Sequence, residues 1–159
     1  MEIIDYPNYL IYEDGLVFSQ KYNKFLKEQD NRDGYKRICL CKDGKQKHFL
    51  IHRLIAIHYI PNPDNLKEVD HINRDKSDNR LENLRWVTRS ENEQNKGIRC
   101  DNTSGEKYIS YDIANNIWKY SKTIDGKTTQ KNFKTFEEAV QYKHSNQIVH
   151  PQTRIGIVE

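Results

Sequence analysis

The chain has 159 residues, 35% of them hydrophobic and 31% charged, with a formal net charge of +3. That length suits one ordinary domain or two to three very small modules, with a small core shared among short elements. Ten Tyr and two Trp argue against disorder, because disordered chains are poor in aromatics. The longest apolar run, FLIHRLIAIHYI, is broken by His52, Arg53 and His58, and nothing reaches the roughly 20 apolar residues of a bilayer span. The first residues, MEIIDYPNYL, carry acids where a signal peptide carries positive charge, so an intracellular, non-secreted protein with no membrane partner is expected. Cys39 and Cys41 share one face of a strand at i, i+2 spacing, a poor geometry for bridging, and Cys100 stands apart. A reducing interior fits best, and one CxC without a second ligand pair gives no structural zinc. Charge is uneven: residues 1–17 hold four acids and no Lys or Arg, whereas residues 18–53 hold ten Lys or Arg against four acids. Local basic stretches interleaved with aromatics suit contact with a polyanion. On charge alone a solvated lysine surface is the better reading.

In chain order, YLIYEDGLVFS is two apolar runs around Asp14-Gly15, a dipeptide that takes the positive φ angles of a tight hairpin. YKRICLCKDGKQKHFLI repeats the pattern around Asp43-Gly44, with Ile38 and Leu40 alternating against Arg37, Cys39 and Cys41. The period then lengthens. Leu50, Leu54 and Ile57, with Ile51, Ile55 and His58, fall at helical spacing until Pro61 ends the run. His52 and His58 have no acidic or Cys partner at i±3 or i±4, so both are expected wedged on this helix. A turn-rich PNPDN leads to an apolar approach ending in Asp70-His71, a polar loop, and a strand LRWVT over 84–88. Thr88 and Glu91 have capping-box spacing and predict a helix over 89–96 carrying Asn92. GIRCDNTSG reads as a linker. KYISYD, NIWKYSKTID and TTQKNFK then give three strands, the last two turning at Asp125-Gly126. The closing helix starts at Thr135, with Glu137 and Glu138 suiting its positive end.

The polar stretch 68–96 raises the question of chemistry. Cutting a phosphodiester at neutral pH requires a base for water, charge stabilisation of the leaving oxygen, and a phosphate held in line. Imidazole titrates near working pH and is the natural base. A divalent cation on the leaving oxygen meets the second need and part of the third. Mg²⁺ takes oxygen ligands and keeps several waters, so one carboxylate and one amide oxygen suffice from the protein. Asp70 and Asn92 have the right donor types, His71 is the candidate base, and an Asn such as Asn83 suits a group orienting its ring. Composition alone does not select these four from so many polar neighbours.

VDHINRDKSDNRLENLRWVTRSENEQNK resembles the HNH endonuclease motif of phage- and intron-type homing endonucleases, a ββα-metal (His-Me finger) site. By position, the resemblance implies that His71 is the general base, Asn83 its orienting residue, and Asp70 and Asn92 the ligands of Mg²⁺ or Mn²⁺. The third letter of the family name is Asn here rather than His. The flank YEDGLVFSQKYNKFLK…GYKRICLCKDGK…HRLIAIHYIPNP resembles a NUMOD4-type module. SGEKYISYDIANNIWKYSKTIDGKTTQKNFKTFEEAVQY is similar to an AP2-type DNA-binding domain, which implies a three-stranded sheet backed by a helix and laid against duplex DNA. The family's Arg-rich strand faces are mostly Lys, Tyr and Asn here, which sets phosphate contact above base-specific reading.

The expected fold is α+β in small modules: a NUMOD4-like β-hairpin and helix module over 1–60, an HNH ββα-metal unit over 61–97, a linker over 98–104, an AP2-like sheet and helix over 105–148, and a tail over 149–159. The implied activity is metal-dependent hydrolysis of double-stranded DNA, by nicking as a monomer or by double-strand cutting as a dimer. Candidate DNA contacts are Arg74, Lys76, Arg80, Arg85, Lys119, Lys122, Lys127 and Lys131. For Arg80 and Arg85, pairing with Glu82 and Asp78 is the equal alternative. Trp86, Leu81, Leu84 and Val87 are expected in the core of the small module, and Trp118 and Phe133 in that of the C-terminal one. Tyr108, Tyr111 and Tyr120 have no assigned place. The rival functions are a DNA-binding regulator without catalysis and an RNA-directed protein.

Overall fold

The computed structural model describes residues 1–146; the expected tail, and the last two residues of the expected C-terminal helix, lie outside the described residues. The architecture is mixed α+β, with a few short helices and several small antiparallel sheets. It divides into two compact units, Met1–Lys96 and Gly97 onward.

In the first unit, β1 (Glu2–Ile3), β2 (Tyr6–Ile11), β3 (Val17–Ser19) and β4 (Lys24–Phe25) form one sheet. A second sheet holds β5 (Gln29–Asp30), β6 (Lys36–Lys42) and β7 (Lys45–Leu50). At Asp43-Gly44 both residues have positive φ, 50° and 74°, as a two-residue hairpin turn requires. The Asp14-Gly15 turn differs from expectation. Only Gly15 has positive φ, and the loop closes through Gly15 N to Tyr12 O (3.0 Å) and Tyr12 N to Leu16 O (3.0 Å). Asp14 instead accepts from Leu16 N through its side chain. Glycine is needed there twice over, because a Cβ at position 15 would stand 3.0 Å from Ile51 Cγ2.

Helix α1 (Ile51–Tyr59) leaves β7 without a loop, so Leu50 is the last strand residue and not the first helical one. Its buried stripe is Ile51, Leu54 and Ile55 with His52 and Ala56, while Ile57 is exposed. Of the residues expected at helical spacing, Ile51, Leu54 and Ile55 are buried, Leu50 and His58 are half-buried, and Ile57 faces outward, because the helix takes its phase from the strand that feeds it. Ile51 and Ile55 pack with Ile11, Val17, Ile38 and Leu40. His58 is wedged as expected: Nδ1 lies 2.7 Å from Leu54 O, and Nε2 accepts from Ile4 N.

β8 (Glu68–His71) and β9 (Leu84–Val87) pair antiparallel, with Asp70 opposite Arg85 and His71 opposite Leu84. Val69 and Leu84 belong to the same core as the N-terminal strands. Half-buried Trp86 packs against that core and donates Nε1–H to Ile60 O. Helix α2 (Arg89–Asn95) starts at the expected capping box, with Thr88 and Glu91 each satisfying the other's backbone N–H.

The second unit has β10 (Ile109–Asp112), β11 (Ile117–Ile124) and β12 (Lys127–Phe133) in one antiparallel sheet, covered by α3 (Phe136–Ser145). Asp125 and Gly126 both take positive φ in a tight turn. The core is small: Ile109, Tyr120 and Ala139 are buried, ringed by Tyr108, Trp118, Phe133, Phe136, Val140 and Tyr142. Thr135 and Glu138 form a second capping box. Buried Lys143 of α3 pairs with Glu106.

Candidate active site and nucleic-acid interface

Asp70 and His71 are the last two residues of β8 and are both buried. Burying such groups is costly unless partners hold them, and the partners define the site. Asp70 Oδ2 accepts from Arg85 Nε at 3.0 Å and Nη2 at 2.8 Å. The Asn95 amide nitrogen, at the end of α2, donates to both Asp70 oxygens (2.9 and 3.0 Å) and to the His71 carbonyl (2.9 Å). One amide thus clamps both residues of the Asp-His pair. Asn92, one turn earlier on α2, donates to Glu68, two residues before Asp70 on β8. Glu68 and Asp70 share a strand face, so Asn92 and Asn95 meet successive carboxylates of that face.

His71 Nε2 lies 3.1 Å from Asn79 Oδ1, and Asn79 is itself buried. An amide oxygen only accepts, so this contact suits an imidazole with a proton on Nε2. Asn83 is used differently. Its Oδ1 accepts from Asn73 N, and its Nδ2 donates to Asn73 Oδ1 and Asp78 O, tying down the loop between β8 and β9. Within that loop, the Arg80 guanidinium holds the Asp78 carboxyl well below the usual carboxylate range. The Ser77 hydroxyl and N–H lower Asp75 in the same direction.

Two further rings stand against His71. His52 of α1 meets it edge-on, with centroids 4.9 Å apart and planes at 67°. Tyr35, from the turn between β5 and β6, lies 5.8 Å from His71 and 5.0 Å from His52. Burial pushes His52 down to about 3, with His71 and Arg53 adding to the shift, so it stays neutral.

The candidate DNA contacts in the loop have partners within the chain. Arg74 takes a positive φ of 67° and reaches Asn95 Oδ1 at 3.4 Å. Lys76 Nζ donates to Asp33 O at 2.9 Å and lies 4.8 Å from the Tyr35 ring centre. Arg80 pairs with Asp78 at 2.8 Å and Glu82 at 3.5 Å. Arg85 pairs with Asp70 rather than with Glu82 or Asp78. In the second unit, register separates the four lysines. Lys119 shares a face with Ser121 and Thr123 of β11 and with Asn132 and Gln130 opposite them. Lys122, Lys127 and Lys131 lie on the face of Trp118, Tyr120 and Phe133, which α3 covers. Lys131 sits 4.5 Å from the Tyr142 ring centre and Lys122 5.4 Å from that of Tyr108. Tyr120 is buried, and Tyr111 stands against Trp118.

Among the described residues no three His, Cys, Asp or Glu side chains converge as a metal cage. Asp70 Oδ1 carries a single donor, whereas Oδ2 carries three. A carboxylate oxygen with spare acceptor capacity beside an amide-bearing helix fits a hydrated, oxygen-liking divalent ion held by few protein ligands.

Sequence reasoning missed Asn79, Asn95, His52 and Tyr35 as parts of this site. Asn95 carried a signal, since it lies three residues after Asn92 on one helix face. Asn79 stands among too many polar neighbours to be singled out. Tyr35 lies 36 residues before His71, at the start of a hairpin pattern that gives no sign of a partner in the polar stretch 68–96.

A two-stranded hairpin whose first strand ends in Asp70-His71 is backed by a short capped helix. The HNH endonuclease family model matches residues 49–94. The solved structure titled "DNA binding and cleavage by the HNH homing endonuclease I-HmuI" superposes with a TM-score of 0.58 at 30% identity, covering 89% of this chain and 81% of that one. The chain belongs to the HNH endonuclease family. In sequence it is 44% identical over 92 residues to DNA endonuclease I-HmuI of Bacillus phage SP01, covering 58% of this chain and 53% of the relative. It is 32% identical over 111 residues to H-N-H endonuclease F-TflII of Escherichia phage T5, covering 69% and 58%. An uncharacterized HNH endonuclease of Acanthamoeba polyphaga mimivirus matches at 44% over 85 residues, covering 54% of this chain and 26% of the relative. The chain thus spans between about a quarter and three-fifths of these curated relatives.

Proposed function

We propose that the protein is a metal-dependent endonuclease of duplex DNA that hydrolyses one phosphodiester per catalytic unit. The observation that carries the reading is the Asp70-His71 pair, buried at the end of β8 and clamped by α2. His71 is the general base. Asn79 keeps its proton on Nε2, so Nδ1 takes the proton from the attacking water. Asn83 acts on the ring indirectly by fixing the loop that carries Asn79. Asp70 and Asn92 are the residues that would hold Mg²⁺ or Mn²⁺, with Asn95 setting the angle of the Asp70 carboxylate. When bound, the ion supplies charge stabilisation at the leaving oxygen. Arg85 neutralises Asp70 in the free protein, and its planar guanidinium is also suited to pairing with a phosphate beside the site.

The N-terminal strands serve as the NUMOD4-like module and the second unit as the AP2-like DNA-binding domain. In that domain the sheet face away from α3 meets the duplex. It offers Lys119, which pairs with Asp112 in the free protein, for phosphate, and Ser121, Gln130 and Asn132 as hydrogen-bonding groups. Incubation of purified protein with supercoiled plasmid and Mg²⁺ or Mn²⁺, with and without EDTA, tests the reading. Nicked circles that EDTA abolishes are the expected result. No cutting across metals and target DNAs favours the regulator, and preferential cutting of RNA favours the third reading.

A further inference from the structure

The proposed chemistry needs one imidazole and its partners, yet two more rings are packed onto His71. His52, on α1, is 4% exposed and its Nδ1 is buried without a hydrogen-bond partner. An unsatisfied buried nitrogen beside a reactive site carries a stability cost that packing alone does not explain. Tyr35 closes the triangle at 5.0 Å from His52 and 5.8 Å from His71. The turn that presents Tyr35 is heavily tied. Asn31 Oδ1 accepts from Asp33 N and Tyr35 N, Asn31 N donates to Tyr35 O, and Gly34 N to Asn31 O with φ of +84°. From the other side, Lys76 in the catalytic loop caps the Tyr35 ring and bonds Asp33 O. β6, which follows the turn, is anchored by Ile38 and Leu40 in the core.

We propose that Tyr35 and His52 are positioning residues for His71: together they form a rigid aromatic seat that fixes the imidazole plane while Asn79 fixes its proton. The N-terminal hairpins are then part of the active centre and not only an arm for DNA. Tyr35 lies outside the segment matched by the nuclease family model, so this chain completes its site with a residue supplied from elsewhere. His52, held neutral by burial, suits this place because it puts no charge beside the base. The seat rests on the nuclease reading for its purpose but not for its existence. A base displaced by about 1 Å costs roughly 10²-fold in rate, so a seat of this kind acts on the chemical step and not on DNA affinity.

The test uses the full chain and two readouts. In the unaltered protein, ring protons of Tyr35 and His71 give a direct NMR cross-relaxation peak, and absence of that peak overturns the seat whether or not the protein cuts DNA. For the rate, Tyr35→Phe keeps the ring and cuts within about threefold of wild type, whereas Tyr35→Leu lowers the single-turnover rate by roughly 10²-fold with unchanged DNA affinity. Cutting at wild-type rate by Tyr35→Leu overturns the proposal, as does weaker DNA binding with a normal rate at saturation. A wild-type chain that shows the peak but cuts nothing removes the nuclease reading and leaves the seat standing.

Discussion

The two units bury polar groups in opposite ways. The first has a broad apolar core and places His52, Asp70, His71, Asn79 and Asn83 at its edge, all buried and gathered around β8 and its loop. The second buries Ile109, Tyr120 and Ala139 and, among its described residues, a single charged group, Lys143, which bridges to Glu106. Buried polar groups cost stability unless satisfied. A large core can carry several of them in one place, and a small one can carry one ion pair. The contrast separates a unit that gathers buried polar side chains around one strand end from a unit that buries almost none among its described residues.

The largest effects on that contrast lie in the first unit. Asp70→Asn removes the carboxylate shared by Arg85 and Asn95. Cleavage is expected to fall by more than the roughly 10–100-fold that loss of an outer-shell partner costs a metal site. Rate measured against Mg²⁺ concentration checks this, and a normal Mg²⁺ profile rules Asp70 out as a ligand.

Acid is the second lever. An ordinary histidine binds a proton near pH 6.5, but folded His52 does so only at about 3. Between those values the unfolded chain holds a proton that the folded chain lacks. Stability is therefore lost as pH falls through the window, by about 1.4 kcal/mol per unit. Urea unfolding at stepped pH should show this slope, and His52→Phe should flatten it. An unchanged slope in the variant assigns the acid sensitivity elsewhere.

Leu40→Ala in the first core is expected to cost about 2–5 kcal/mol. The signals of Ile109 and Tyr120 should persist while the first unit unfolds, since the two cores share no residue. Loss of both together shows that the units depend on each other. The smallest effect belongs to the displayed face. Lys119→Ala should lower the salt slope of DNA binding by about one, and Lys131→Ala, on the side covered by α3, should leave it unchanged. The reverse order moves the contact to the other face.

Much of this arrangement was legible from residue order. The Asp43-Gly44 and Asp125-Gly126 turns, the capping box at Thr88 and the start of α3 at Thr135 follow from local chemistry that tertiary packing has no reason to override. The phase of α1 was not legible. Whether Leu50 or Ile51 begins the buried stripe depends on the strand that precedes it. In the candidate site, the places of Asp70 and His71 at a strand end could be read, but the partners of each Asn could not. Asn79, Asn83, Asn92 and Asn95 are chemically the same side chain, and only the path of the loop decides which one meets His71 Nε2. Tyr35 and His52 reach the site across long sequence separations, where no spacing rule operates.

Everything proposed for the site turns on His71 as the base. Single-turnover cleavage of duplex DNA by His71→Ala is to be measured at saturating protein beside its equilibrium DNA affinity. The expected rate is lowered by roughly 10²–10⁴-fold with affinity retained. Cleavage within a few-fold of wild type removes His71 from that role.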